Sequence, residues 1–151
     1  MAGSVIEATT ARRTVGGLAQ PMSRRILVVE DSLPNRELLC DWLEAERFVP
    51  ISAENLEEAF AAFKDGVPDA VLLDVQLGSQ DGLSLAHWIR DDPKLRTIPV
   101  IAVTAHAMWT DQQRVMEAGC SACVSKPIDF RALREELDRW LARPAKVESK
   151  R

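Results

Sequence analysis

At 151 residues the chain is close to one ordinary domain and long enough to bury roughly 70% of the surface its unfolded form exposes. With 46% hydrophobic and 28% charged residues, 7 Gly and 8 Pro, it is globular rather than wholly disordered, collagen-like or coiled-coil. Nineteen basic against 23 acidic residues leave a net charge of −4, which argues against a polyanion binder, because nucleic-acid proteins carry a basic field or stripe.

Residues 1–22 are rich in Ala, Thr, Gly and Ser without a sustained period, and Glu7, Arg12 and Arg13 break any signal-like apolar core. This composition predicts a mobile leader, with either Met1 or Met22 as the initiator. No apolar run approaches the 18 residues of a membrane span, and Cys40, Cys120 and Cys123 suit a reducing compartment, so a cytoplasmic protein is expected.

Short apolar runs then alternate with helical patterns. Arg25–Glu30 (RILVVE) reads as a strand and Pro34–Glu46 as a helix whose stripe is Leu38, Leu39, Trp42 and Leu43. Phe48–Ser52 is a short second strand. Asn55 caps the next helix with Glu58 three residues on, Leu56, Ala59, Phe60 and Phe63 line its buried face, and Gly66 ends it.

Asp69–Val75 (DAVLLDV) is apolar up to Asp74, as expected of a strand buried on both faces of a parallel sheet. A polar turn over Gln76–Gly82 leads to a helix over Leu83–Arg90. Ile98–Val103 is the fourth strand, Met108–Ala118 a helix closed by Gly119, and Ala122–Ser125 the fifth strand. Asp129 caps a last helix buried through Phe130, Leu133, Leu137, Trp140 and Leu141. Residues 143–151 form a polar tail.

Five strand-then-helix units predict an α/β fold, a doubly wound parallel sheet with helices on both faces, whose ligand site lies beyond the carboxyl ends of the strands. Those ends carry Glu30, Asp31, Asp74, Thr104 and Lys126. Carboxylates about 4 Å apart at an effective dielectric near 20 repel by about 4 kcal/mol per pair, so a bound hard cation, a raised carboxyl pKa or the Lys126 ammonium must compensate them. Singly, the acid pair reads equally as a strand end and helix cap, Lys126 as a solvated lysine and Thr104 as a core residue; Asp74, ending Ala-Val-Leu-Leu, is harder to dismiss.

The combination resembles the receiver domain of two-component response regulators, the CheY-like family, from about Arg24 to Trp140. The resemblance rests on Glu30-Asp31 after an apolar strand, Asp74 in LLDVQLGSQDG, Thr104 in VIAVTAHAM, and Lys126-Pro127 in VSKPID. It implies a flavodoxin-like sheet of order 2-1-3-4-5 in a domain spanning 23–142. It further implies that Asp74 is the phosphoacceptor for a phosphohistidine. Asp31, Asp74 and the Gln76 main-chain carbonyl would hold Mg²⁺, with Glu30 acting through coordinated water. Thr104 and Lys126 would sense the phosphoryl group, and the Lys126-Pro127 bond would be cis.

The implied partners are a histidine kinase or histidine phosphotransfer protein and a downstream target bound on the face of helix four, strand five and helix five, with a phosphorylation-dependent dimer compatible. Such a domain catalyses its own phosphorylation and dephosphorylation without being a conventional turnover enzyme. With only about ten polar residues after Trp140, a stand-alone receiver is expected, and neither a nucleic-acid nor a membrane partner is expected.

Two positions depart from the family pattern. Cys123 stands where a switch aromatic is usual, which keeps a phosphorylation-independent pseudo-receiver scaffold in play. Gly78 replaces the common proline, predicting a more mobile loop. Gln76, Ala105 and His106 are expected around the phosphoryl group, and His87 on a helix surface. Cys120-Ser121-Ala122-Cys123 also matches a C-x-x-C thiol motif, but it follows a helix end and enters a strand, where residues three apart face opposite sides.

Overall fold

The structure, a computed structural model, describes residues 23–105 and 109–142. The expected leader 1–22, the tail 143–151, Met108 and His106 lie outside the described residues.

Strands β1 (Arg25–Val29), β2 (Val49–Ala53), β3 (Ala70–Asp74), β4 (Val100–Thr104) and β5 (Ala122–Ser125) form a parallel five-stranded sheet in the order β2-β1-β3-β4-β5. Helices α1 (Leu33–Ala45), α2 (Leu56–Asp65), α3 (Leu83–Asp91), α4 (Trp109–Glu117) and α5 (Phe130–Leu141) join them. The strand order reverses beside β1 and β3, which places a crevice at their carboxyl ends.

The central strands are continuously apolar because both sheet faces are covered. Ile26, Val28, Ala70, Leu72 and Ile101 pack on one face with Leu39 and Leu43 of α1 and Leu133 and Leu137 of α5. Their alternates Leu27, Val29, Val71, Leu73, Val100 and Ala102 pack on the other with Ala59 and Phe63 of α2, Leu85 and Ile89 of α3, and Val115 of α4. Among the described residues no helix is long and apolar enough to cross a membrane.

Local signals fix several boundaries. The Asn55 side chain accepts from Glu58 N at 2.8 Å while Glu58 Oε1 accepts from Glu54 N at 2.8 Å, a reciprocal cap that starts α2. Asn55→Ala is expected to lower stability by about 1 kcal/mol, read as a lower urea midpoint at unchanged slope. Asp129 caps α5 through Arg131 N and Ala132 N.

Three expectations change. Leu38 is 53% exposed, because Leu39 and Leu43 already define the buried stripe of α1 and Leu38 lies one residue, about 100° of helical rotation, away from it. Gln76–Gly82 is more than a turn: Gln76–Leu77 and Gln80–Asp81 pair as a short antiparallel ladder that buries Leu77. Gly78 closes it with φ of +60°, a conformation barred to proline, whose ring fixes φ near −65°. The departure at Gly78 therefore builds a different turn. Finally, β4 begins at Val100 rather than Ile98 and runs through Thr104.

Candidate functional site

Three chain crossings end together at the crevice. Beyond β1, Glu30 is 2% exposed and continues the sheet through a Glu30 N to Ala53 O bond of 3.0 Å. Glu30 Oε2 accepts from Ser32 N at 3.1 Å, and Ser32 in turn caps α1. Asp31, the next residue, is exposed. Asp74 ends β3 at 6% exposure, its Oδ1 accepting from Gln76 N at 3.2 Å.

From the far side of the sheet comes Lys126. Its main-chain N donates to Thr104 O at 2.8 Å, and the following Lys126-Pro127 bond is cis. The Lys126 Nζ lies 3.2 Å from Glu30 Oε1 and 3.3 Å from Asp74 Oδ2. One carboxylate oxygen from each of Glu30, Asp31 and Asp74 lies within 4.8 Å of the others. The pocket they line holds about 210 Å³ and is completed by Ser32, Asn35, Gln76, Thr104, Ala105 and Lys126. All six residues singled out from the strand ends and the following turn thus border one cavity, with the Gln76 side chain exposed and Thr104 buried.

The pocket is electrostatically unbalanced. Burial and the neighbouring Glu30 carboxylate push Asp74 up from 3.8 to about 6, against the opposing pull of the Lys126 ammonium and the Gln76 N–H. For Lys126, burial works against the charge, but Asp74 and Glu30 outweigh it and hold the ammonium pKa above its ordinary value. One ammonium is shared by two buried carboxylates.

The sequence and the fold match known proteins. Residues 26–138 match the response regulator receiver domain family. The chain belongs to that family. A curated receiver relative, the polar-differentiation response regulator DivK of Brucella anthropi, is 39% identical over 120 residues, covering 80% of this chain and 98% of DivK. The signal receiver domain of a signal transduction histidine kinase from Syntrophus aciditrophicus superposes with a TM-score of 0.73 at 32% identity, covering 80% of this chain and 91% of that one. A sensor histidine kinase receiver domain from Pseudomonas aeruginosa PAO1, described with a magnesium ion coordinated in its active site cleft, gives 0.73 at 28% identity, covering 80% and 99%.

Two residues that brace the loops around this pocket without lining it had no signal in the sequence. Arg36 donates from Nη1 to Glu30 O at 2.9 Å and places Nη2 3.8 Å from Glu54, tying α1 to the acidic loop and to the entry of α2. Gln80 bonds to α2 across the loop after β3. The Arg36–Glu54 and Gln80–α2 contacts join residues far apart in the chain, so no local pattern announces them.

The cysteines need one correction. Strand β5 starts only at Ala122, so face alternation does not extend to Cys120, and both Cys120 and Cys123 pack against the same apolar layer. The thiols are nonetheless poor nucleophiles: burial pushes Cys120 up to about 12 and raises Cys123 as well. His87 is exposed on α3, as expected of a helix-surface residue.

Proposed function

We propose that this receiver is a phosphorylation switch in which Asp74 takes a phosphoryl group from a phosphohistidine of a histidine kinase or a histidine phosphotransfer protein. A carboxylate oxygen of Asp74 attacks phosphorus in line, the phosphorus–nitrogen bond breaks, and the imidazole leaves with the electron pair. The single observation that carries this reading is the buried carboxyl of Asp74 flanked by two further acids and one ammonium at the strand-order reversal.

The donor set fits a hard divalent cation. It offers only oxygen ligands, three carboxylates are crowded together, and the Asp74 carboxyl shows the raised pKa of an uncompensated group. Asp31, Asp74 and the Gln76 carbonyl would hold Mg²⁺, with Glu30 adding negative charge beside it. When bound, Mg²⁺ spreads the charge that builds on the transferring phosphoryl group. The chain's own residues then do three things. Lys126 supplies a movable point charge, Thr104 a hydroxyl donor, and Gln76 N–H a fixed donor to Asp74 Oδ1.

The output proposed is altered partner binding on the face of α4, β5 and α5, with dimerisation as one form it takes. The domain catalyses its own phosphorylation and hydrolysis rather than turning over an external substrate. It works in the cytoplasm, and residues 23–142 form the switching unit between leader and tail. The absence of an aromatic at Cys123 favours a second reading, a scaffold that binds partners independently of phosphorylation.

Incubation with Mg²⁺ and a small phosphodonor separates the two. The switch predicts one alkali-labile acyl phosphate per chain, not formed when Mg²⁺ is chelated before the donor is added; no incorporation from any donor supports the scaffold.

A further inference from the structure

The loop after Asp74 reaches further than the phosphoacceptor pocket. The main-chain N of Leu56, in the first turn of α2, donates to Gln80 Oε1 at 3.1 Å, and Gln80 Nε2 donates back to Glu57 Oε1 at 3.2 Å. The first N–H groups of a helix lack partners within it, and here one of them is satisfied from another loop. The next residue does the same for the neighbouring helix: Asp81 Oδ1 accepts from Leu83 N of α3 at 3.0 Å. Consecutive side chains of one loop therefore cap two helices.

That loop is also bonded to the phosphoacceptor. Gln76 N donates to Asp74 Oδ1, and Gln76 and Leu77 pair in the short ladder with Asp81 and Gln80. The residue whose carbonyl is assigned to the metal thus sits opposite one capping residue and beside the partner of the other. A second tie reaches α2 from the other side of the pocket, where Arg36 spans the Glu30 carbonyl and the Glu54 carboxylate. The two capped helices meet through aromatic rings. Phe60 and Phe63 of α2 pack edge-on against Trp88 of α3 at centroid distances of 4.9 and 5.2 Å, walling a surface groove of about 590 Å³.

We propose that Gln80 and Asp81 couple the state of Asp74 to the first turns of α2 and α3, making the α2–α3 face a second phosphorylation-responsive surface, separate from that of α4, β5 and α5. Gln80 acts here as a positioning residue. The inference rests on Asp74 being the phosphoacceptor. A shift of the ladder by a few tenths of an ångström towards a phosphoryl group lengthens or shortens both cap bonds at once, because the two caps share one backbone.

The test is hydrogen exchange on the full chain, with and without Mg²⁺ and a small phosphodonor, with phosphoryl content measured by intact mass on the same sample. In the unsubstituted chain, phosphorylation is expected to change exchange at Leu56–Ala59 by about five-fold, the scale of one hydrogen bond. Gln80→Leu should accept phosphate to the same extent, exchange about five-fold faster in that turn, and no longer respond there. The swapped pair Gln80→Glu with Glu57→Gln keeps an acceptor for Leu56 and reverses the second bond, and should regain the response. A phosphorylated chain silent at α2, or Gln80→Leu responding like the parent, overturns the coupling alone. A chain that takes no phosphate overturns the functional reading and this inference with it.

Discussion

Asp74→Asn is expected to abolish acyl phosphate formation and, in chelator at pH 8, to stabilise the fold by about 2–3 kcal/mol. The second effect follows from the raised carboxyl. With a folded pKa of about 6 against 3.8 unfolded, the native state binds the proton more tightly, so stability falls as pH rises between these values and the loss is complete above about 6. Roughly two pKa units at 1.36 kcal/mol each set the scale, somewhat reduced because Glu30 and Lys126 readjust with it. Asn cannot ionise and escapes the penalty. Well below 3.8, at about pH 3, the parent carboxyl is protonated in both states and the two proteins should converge. Urea titrations at pH 8 and about pH 3 check this, and a gap that does not close in acid would refute the charge imbalance. Adding Mg²⁺ should stabilise the parent more than the variant, since only the parent keeps all three carboxylates.

The same imbalance explains why the pocket was legible in the sequence. A strand buried on both faces reads as an unbroken apolar run, and RILVV, AVLLD and VIAVT are such runs. Against that background an acid at the last position stands out. The parallel order then follows from handed crossovers, and the crevice follows from the order. Asp74 is therefore visible as a strand-end anomaly, Glu30, Thr104 and Lys126 only through their joint placement at the strand ends, and the short ladder not at all. Gln76, Gly78, Ser79, Gln80 and Asp81 are ordinary turn residues, and what organises them is a glycine at positive φ and bonds to Leu56, Glu57 and Leu83. Arg36 is similar: on a helix pattern it reads as a solvated cation, yet its partners are the Glu30 carbonyl and Glu54. Leu38 fails for the opposite reason, because an apolar residue beside a buried stripe looks the same in sequence whether it packs inward or lines an open groove with Ile128 and Phe130.

Lys126→Met is expected to cost about 2–3 kcal/mol in chelator at pH 8. Met preserves the unbranched stem and removes the charge, leaving Glu30 and Asp74, at 2% and 6% exposure, without their shared ammonium. Breaking a buried pair costs about 3–5 kcal/mol; with 23% of the Lys126 side chain exposed, solvent replaces part of what is lost, which lowers the figure. The sign with pH is opposite to that of Asp74. A lysine whose pKa is raised on folding stabilises fully below the unfolded value of 10.5 and loses that contribution as pH rises through the folded one. Mg²⁺ should recover much of the loss by supplying positive charge to the same carboxylates, so the variant is expected to gain more stability from the ion than the parent does. Combining Lys126→Met with Asp74→Asn should cost less than Lys126→Met alone by at least the about 2–3 kcal/mol that Asp74→Asn gives the parent, because without the ammonium nothing offsets the Asp74 charge. Phosphate incorporation in Lys126→Met with Mg²⁺ should persist while partner affinity no longer follows it; affinity still tracking phosphorylation would remove Lys126 from the relay and leave it a purely electrostatic counterweight.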